Sequence, residues 1–382
     1  MRYYLAIGDP STPSLRGGAP YYLSTEGKRQ GLFDGAIGLD PQRLKMLRLA
    51  WNALQPLRFS RPGGFQYSRT FTNALFAQAG AFPKGINFVS IFPLLPPEPE
   101  KNGWRVGFYI DATLKQNFAA YGLSRRLGAR IREEALAREC RQYSAAENII
   151  CQGRWAAQSI VEDYKVDPDK VYVVPPGANL PDWVARDAST ASEPPGSLGM
   201  LRLGMVGRDW RRKNLPMLLE VADVLKARGL RTEVHVIGPP KSELPSHPAL
   251  VAHGYINKTR NVERFARIVR QWHFGCLLSD VEALGISLRE FLFLGVPAVG
   301  RAVGGIPDAI PEGLGVLVDG QCKARGIAEH LAAITHSDTG YESLRAEVMS
   351  RRHEVSWAKA VEKLRAIWEG GGEPYSHDSR PC

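Results

Sequence analysis

Strand-like and helix-like patterns take turns along the second half of the chain, and this alternation restricts the fold more than any other feature of the sequence. Runs of β-forming residues and segments with helical spacing of apolar residues follow one another in the order MLRLGMVG, NLPMLLEVADVLKARG, RTEVHVIG, NVERFARIVRQ, FGCLLS, ISLREFLFLG, PAVGR and LGVLVD. Strands that alternate with helices of this length are typical of βαβ units and a parallel sheet. We therefore predict a doubly wound α/β domain over residues 200–354, with ligands bound beyond the carboxyl ends of its strands.

The first half of the chain repeats the pattern less regularly. Its strand-like runs are YYLAIG, INFVSIFPLL, WRVGFYI, NIICQG and KVYVVPPG, and helical patterns separate several of them. We predict a second doubly wound α/β domain over residues 1–180, facing the other domain across a cleft. Residues 179–199, rich in Pro, Ser, Ala and Asp, are predicted to link the two. A helix over about 355–370 is predicted to pack back on the first domain, and residues 371–382 to be disordered.

The length, net charge and cysteines of the chain restrict the kind of protein it can be, but they do not identify its partner. The 382 residues are too many for one ordinary core, and the net charge is +10. That charge favours an anionic partner and leaves open a nucleic acid, a membrane surface or a phosphorylated ligand, as well as a basic protein with no such partner. The five cysteines are scattered without metal-ligand spacing. We expect a reduced, cytoplasmic protein without a bound metal.

Two glutamates flank the start of an otherwise apolar helical segment in DVEALGISLREFLFLGVPAVGRAVGGIP. Glu282 falls in the predicted loop after a strand, and Glu290 lies about one and a half turns into the following helix. The free N–H groups that open this helix, together with its dipole, predict an anion site suited to a diphosphate. The carboxylate further along could accept hydrogen bonds from ribose hydroxyls. The alternative is that both acids only complement the helix dipole or lie in solvent.

A second cluster, GMVGRDWRRKN, places several basic residues at a turn between a strand and a helix. Arg208 follows a strand and a glycine, and Lys213 comes five residues later, before an N-cap at Asn214. Arg and Lys both donate to phosphate oxygens. We interpret the turn as a phosphate-binding loop, and the alternative is a basic loop on a basic protein.

Two further segments carry weaker signals. Gly17 and Gly18 follow the first strand, and paired glycines let backbone approach a ligand closely or simply form a turn. The segment Arg43–Phe59 places Leu, Met, Trp and Phe among Lys and Arg at roughly helical spacing. It could lie on an anionic membrane surface or form a core helix of the first domain.

Taken together, the motifs resemble those of the GT-B glycosyltransferases, and specifically glycosyltransferase family 4. That family has two glutamates separated by seven residues, then a G-P-V-V strand and a GG-x-P-E turn. This chain has Glu282, ALGISLR, Glu290, FLFLGVPAV and GGIPD. The family's G-R-x-x-x-x-K turn is matched by Gly207, Arg208 and Lys213, and its strand ending in I-G is similar to VHVIG. The resemblance is strong over about 204–368 and loose over 1–180.

The resemblance implies a GT-B fold of two Rossmann-like domains, with the C-terminal helix crossing back to the first. It implies a nucleotide-diphosphate-sugar as co-substrate and transfer with retention at the anomeric carbon. No cofactor and no metal would be required. The acceptor would be a saccharide, a lipid-linked compound or a small molecule, and some family members act on lipid-linked acceptors. A basic first-domain surface could then contact the inner face of an anionic membrane.

The same resemblance implies roles for individual residues. Arg208 and Lys213 would neutralise the diphosphate and stabilise the leaving group, in place of a metal ion. Glu290 would bind the ribose hydroxyls, and Glu282 would face the donor sugar. Tyr255 would flank the base, although an ordinary loop tyrosine is the alternative. The other donor-binding residues implied are Gly17, Gly18, Gly207, Gly238, Ile256, Gly285, Ile286, Ser287 and Leu288.

The chain departs from the family at a few positions. Where the family often has a histidine near the sugar, this chain has Asp111 in VGFYIDATL. Asp111 could assist the acceptor as a catalytic base, or it could cap the next turn. Asp308 replaces the last motif glutamate and Leu284 replaces an aromatic residue, so we expect a donor pocket of different shape.

Two other functions stay open from the sequence. The same architecture could epimerise or hydrolyse a nucleotide-sugar without an acceptor. A non-catalytic basic binding protein is the other alternative, although the aromatic and basic modules of RNA-binding folds are missing, so no nucleic acid is expected.

Overall fold

The computed structural model describes residues 1–59, 63–122, 127–186, 199–336 and 338–376, and the chain divides into two compact units. The first unit comprises Met1–Pro175 and the last segment from Val361, and the second comprises Pro176–Ala360. Among the described residues, no helix has both the length and the apolar character that crossing a bilayer requires.

The first unit is a six-stranded, all-parallel sheet with the strand order β2-β1-β3-β4-β5-β6. Its strands are β1 Arg2–Ile7, β2 Gly35–Leu39, β3 Asn87–Ser90, β4 Arg105–Ile110, β5 Ile149–Cys151 and β6 Val171–Val173. Its helices are α1 Ala19–Arg29, α2 Lys45–Phe59, α3 Arg69–Phe76, α4 Pro99–Asn102, α5 Leu114–Ala120, α6 Ala129–Ala145 and α7 Arg154–Tyr164.

The second unit repeats this design with the strand order β12-β11-β10-β7-β8-β9, again all parallel. Its strands are β7 Leu201–Val206, β8 Thr232–Ile237, β9 Leu250–Gly254, β10 Phe274–Leu277, β11 Ala298–Arg301 and β12 Gly315–Val318. Its helices are α8 Asp182–Arg186, α9 Leu215–Ala227, α10 Val262–Arg270, α11 Ile286–Phe293, α12 Ile306–Ala309, α13 Ala324–Thr335 and α14 Asp338–Arg351. The last helix, α15 Trp357–Trp368, begins in this unit and ends in the first.

Two apolar clusters cover the two faces of the second sheet. One contains α9 and α13 residues such as Leu218 and Leu331, and the other contains residues of α10 and α11 such as Phe265 and Phe291. The strands are therefore covered by helices on both faces, as their nearly continuous apolar sequences require. The strand order reverses between β7 and β10, and a reversal of this kind opens a crevice at the carboxyl ends of the strands.

The predicted α/β class is confirmed in both units, but two other predictions are corrected. Residues 179–186 do not form a linker: Asn179 and Leu180 are buried, and Asn179 accepts a hydrogen bond from Trp357 Nε1 at 3.0 Å. Apolar residues among the prolines and polar residues explain the difference, since Leu180 and Val184 enter the core of the second unit. The rest of the predicted linker, 187–198, and most of the predicted disordered tail, 377–382, lie outside the described residues.

The second correction concerns α2, for which a core position was one of the two alternatives. Every side chain from Lys45 to Ala50 is exposed, and only Trp51 and Asn52 are half-buried among the described side chains that follow. Trp51 holds the helix to the unit through Phe65, whose ring centroid is 5.8 Å away. Over the part of α2 whose side chains the structure describes, residues 45–54, the alternative of a core helix is therefore wrong.

A glycine in β7 makes room for the largest buried side chain. A Cβ atom at Gly204 would lie 1.8 Å from Cε3 of Trp272, whose ring is fully buried. We expect Gly204→Val to lower the free energy of unfolding by about 3 kcal/mol or more, because the packed ring has to move. Urea unfolding would measure this. Ala227→Val, at the exposed end of α9, adds similar volume and should cost less than about 1 kcal/mol; equal losses would contradict this account.

Candidate active site

Three glycines bring the carboxyl ends of β7, β8 and β9 close together. Gly207 N–H donates to Ile237 O and Gly238 N–H donates to Gly254 O, both at 2.9 Å. A Cβ atom at Gly238 would lie 2.6 Å from Gly207 O, so only glycine permits this approach of the two loops. Tyr255 follows directly after Gly254 and its ring lies 5.6 Å from the Arg208 guanidinium. Arg208 and Tyr255, predicted on different ends of a nucleotide, are therefore neighbours in this structure.

Gly207 also determines the path of Lys213. A Cβ atom at Gly207, where φ is 153°, would lie 2.2 Å from Cε of Lys213, so the lysine stem passes directly over this glycine. The ammonium lies 3.6 Å from Glu282 Oε2, which is longer than an ordinary hydrogen bond. Burial lowers the pKa of Lys213, and the nearby carboxylates of Glu282 and Glu290 oppose that shift. Lys213 is thus placed close to both predicted acids.

Glu282 lies in the loop between β10 and α11, as the sequence predicts. Its Oε2 accepts a hydrogen bond from Arg212 Nη1 at 2.9 Å, and the same guanidinium donates to Val281 O at 3.2 Å. No role for Arg212 could be predicted from the sequence pattern. Arg212 follows β7 and its partner Glu282 follows β10. The two residues meet because these strands are parallel neighbours in the sheet, which the local sequence around Arg212 does not reveal.

The backbone of this loop is held by the glycine turn that follows β11. Gly305 N–H donates to Glu282 O at 3.1 Å, and Cβ atoms at Gly304 and Gly305 would lie 2.0 Å from the carbonyl oxygens of Glu282 and Ala283. The two glycines therefore fix the loop that carries Glu282. A buried arginine holds the start of the same loop, where Arg301 Nη1 donates to Asp280 Oδ1 at 2.6 Å. Arg301 was likewise not singled out from the sequence.

The amino end of α11 departs in one respect from the predicted row of free N–H groups. Gly285 forms the N-cap with φ of 91°, and Leu288 N–H donates to Gly285 O at 2.9 Å. The predicted free donor at Leu288 is wrong, because a tight turn opens the helix and uses that group. Ile286 and Ser287 precede it in the first turn. Ser287 Oγ is buried and has no hydrogen-bond partner among the described residues.

Glu290 is almost inaccessible, with 1% of its surface exposed. Burial raises the pKa of its carboxyl, while Lys258, which contacts Oε1, opposes that shift. The Lys258 ammonium also lies 5.6 Å from the Phe265 ring. A lysine two residues after Ile256 gave no recognisable signal in the sequence, so the partner of Glu290 was missed.

The predicted residues of the first unit lie in the segments between its strands and the helices that follow them. Gly17 and Gly18 both have positive φ, and Gly18 is the N-cap of α1. Asp111 is exposed and follows β4 directly. The N-cap of the following helix, α5, is Thr113, which forms a capping box with Gln116.

A buried carboxyl group holds the segment after Asp111. Glu139 on α6 accepts hydrogen bonds from Leu114 N–H at 2.8 Å, from the Tyr143 hydroxyl at 2.9 Å and from the Tyr164 hydroxyl. Burial raises the pKa of Glu139 to about 7, although these hydrogen bonds lower it in part. Glu139 was not identified from the sequence, where it looked like one more charge on an amphipathic helix.

Part of the chain is similar in sequence to known glycosyltransferases. Residues 201–337 match the family model described as glycosyl transferases group 1. The D-inositol 3-phosphate glycosyltransferase of Geodermatophilus obscurus is 29% identical over 247 residues, a stretch covering 60% of this chain and 53% of that relative. The chain thus spans little more than half the length of this curated relative.

Solved structures agree on the fold. Sucrose-phosphate synthase from Thermosynechococcus elongatus matches with a TM-score of 0.64 at 16% identity, over 97% of this chain and 98% of that one. The Anabaena protein HepE, in a structure with UDP and glucose, matches with a TM-score of 0.62 at 11% identity, over 97% and 99%. The predicted GT-B fold and the resemblance to GT-B glycosyltransferases are confirmed.

The buried carboxyl of Glu139 generates a pH prediction. The folded protein holds this proton to higher pH than the unfolded chain, so the stability that the group contributes is fully present below pH 4.5 and is lost as the pH rises to about 7. The loss should reach about 3 kcal/mol. Unfolding of wild type and Glu139→Gln at a series of pH values measures it, because the amide does not titrate. Parallel pH profiles for the two proteins would contradict the assignment.

Proposed function

We propose that this protein is a retaining glycosyltransferase that moves a sugar from a nucleotide-diphosphate-sugar to a hydroxyl-bearing acceptor. One observation carries the proposal. Lys213, Arg212 and Glu282 meet beside the amino end of α11, where the buried Ser287 hydroxyl has no partner among the described residues. A buried hydroxyl without a partner at a helix amino end is the donor that a bound phosphate oxygen would satisfy.

The diphosphate would lie between the loop after β7 and the amino end of α11. Lys213 contributes a buried positive charge whose contact with Glu282 is long enough to leave hydrogen-bonding capacity for phosphate oxygens. Arg208 approaches from the start of the same loop. Fixed cations and helix N–H groups stabilise the negative charge that develops on the leaving diphosphate, so a metal ion is not required in this proposal.

The nucleoside would extend toward Glu290 and Tyr255. In this proposal Glu290 accepts hydrogen bonds from the ribose hydroxyls, and the contact with Lys258 favours the charged form of the carboxyl against the effect of burial. The exposed ring of Tyr255 would lie beside the base, and Gly238 and Ile256 would form the adjacent backbone. Stacking of Tyr255 against Arg208 links the base side of the pocket to its phosphate side.

The sugar and the acceptor are assigned to the remaining predicted residues. Glu282 would face the donor sugar, held by Arg212 and by the glycine turn at Gly304. Asp111 would act on the acceptor hydroxyl, since it is exposed directly after the carboxyl end of β4. Gly17 and Gly18 would let the backbone come close to the donor. Binding of UDP and glucose by HepE supports a nucleotide-sugar donor.

The place of action belongs to the same proposal. We take the enzyme to be cytoplasmic and to work peripherally on the inner face of an anionic membrane, with a saccharide, lipid-linked or small-molecule acceptor. The cysteines that the structure describes, Cys140, Cys151, Cys276 and Cys322, are all free, which fits a reducing compartment.

We expect Arg208→Ala and Lys213→Ala each to lower kcat/KM by about 100-fold or more, because each removes a cation from the developing charge of the leaving group. Initial rates of sugar transfer measure this, and melting temperatures check that the fold is intact. Arg211→Ala is the matched control: Arg211 lies in the same loop but stacks on the Trp210 ring at 4.1 Å. Turnover of both variants at the wild-type rate would overturn the assigned roles. Donor consumption of equal rate with and without acceptor would instead indicate a hydrolase or epimerase.

We expect Glu290→Gln to reduce discrimination between a nucleoside diphosphate and its 2′-deoxy analogue. A neutral amide accepts more weakly from the ribose hydroxyls than a carboxylate does, so the wild-type preference should fall by about tenfold. The nucleotide is first chosen as the nucleoside diphosphate that most raises the melting temperature. Calorimetric titration of both forms into both proteins then gives the preference. An unchanged ratio of dissociation constants would exclude ribose contact by Glu290.

A further inference from the structure

Helix α2 of the first unit exposes an apolar face. Met46 is 75% exposed, Leu49 49% and Leu54 60%, and the smaller Ala50 and Ala53 lie exposed between them. At 3.6 residues per turn these positions fall on one side of the helix. We call this set of five residues the α2 apolar face.

The α2 apolar face points away from the core of its own unit. Trp51, on the other side of the helix, packs on Phe65 with ring centroids 5.8 Å apart. A surface helix normally turns its apolar stripe toward the core, and here the stripe is turned outward. Large apolar side chains grouped in this way on a surface mark a contact with another molecule.

Charge identifies the kind of molecule. Between Asp40 and Glu98 the sequence contains no Asp or Glu, whereas Arg43, Lys45 and Arg48 lie in or just before α2 and are all exposed. Asp40 lies 3.8 Å from Arg43 and leaves the other two basic residues to interact elsewhere. A helix that combines an apolar face with Lys and Arg and lacks acids matches the interfacial region of an anionic bilayer, where apolar side chains enter the acyl boundary and cations meet the headgroups.

We propose that α2 docks the first unit on an anionic lipid surface, with Met46, Leu49 and Leu54 inserted and Lys45 and Arg48 at headgroup level. A second copy of the chain fits less well, since a symmetric contact would bring the same lysine and arginine of both copies together. A nucleic acid would take up the cations but leave the apolar face exposed to water. This inference deepens the peripheral membrane placement of the proposed function and rests on it, but it does not depend on the donor chemistry.

Co-sedimentation with phosphatidylcholine vesicles, with and without added phosphatidylglycerol, tests the docking. The wild-type protein should partition into the anionic vesicles at least about tenfold better than into the neutral ones, and added salt should reduce this difference. Met46→Ser with Leu49→Ser and Leu54→Ser removes the inserted side chains. Lys45→Glu with Arg48→Glu removes the cations. Each variant should lose about tenfold or more in partitioning into anionic vesicles.

The matched control is Lys226→Glu with Arg231→Glu, which makes the same charge change at exposed positions of the second unit and should bind as wild type. Equal binding by wild type and both α2 variants, or no preference for anionic vesicles, would overturn the proposal. A concentration-dependent dimer lost in both α2 variants would assign the face to a second copy instead. Nucleoside diphosphate thermal shifts on the same samples keep a failure of docking distinct from a failure of the donor site.

Discussion

The second unit depends on balancing charges that are removed from water at the carboxyl edge of its sheet. Moving an ionised side chain into the protein interior costs several kcal/mol unless a partner of opposite charge accompanies it. Glu290 is buried against Lys258, Arg301 is buried against Asp280, and Lys213 lies between the two motif glutamates. The partners in each pair come from segments at or after the ends of different strands. The pairs therefore depend on the order of the strands in the sheet. The same pairing keeps cations available where the proposed phosphates would bind.

Glycines are also needed at this site, because the charged groups can meet only if the loops that carry them pack unusually close to one another. Gly207 lies beneath the lysine stem, and Gly304 and Gly305 press against the carbonyl groups of the loop that carries Glu282. Side chains at these positions would overlap with the neighbouring atoms, and the loops would have to move apart. The motif glycines therefore shape the site because, without a side chain, they leave room for neighbouring groups. The acids and bases contribute their charges.

The sequence alone was sufficient for the fold and for the elements in which Glu282 and Glu290 lie. Period and length of the apolar patterns predicted the alternating strands and helices, and the spacing of Glu282 and Glu290 correctly placed one in a loop and one in a helix. Contacts between distant segments could not be obtained in this way. Arg212 and Lys258 gain their importance from partners 70 and 32 positions away, which no local pattern reveals.

Packing could not be predicted from the sequence either, as the outward face of α2 and the buried residues among 179–186 show. Helical spacing of Leu and Met in α2 gave no indication of which side the core lies on. Proline-rich composition around Asn179 concealed a few apolar residues that enter the core of the second unit. Composition is a property of a whole segment, whereas the burial of each side chain depends on which other segments pack against it.

The close contact of Gly204 with Trp272 has a consequence for how this protein can change over evolutionary time. One residue lies on β7 and the other just ahead of β10, the two strands between which the strand order reverses. Because the indole occupies the volume that a side chain at 204 would need, neither position can drift independently. A lineage that acquired a bulkier residue at 204 would have to have lost the indole first, so the two sites should covary among descendants of this sequence.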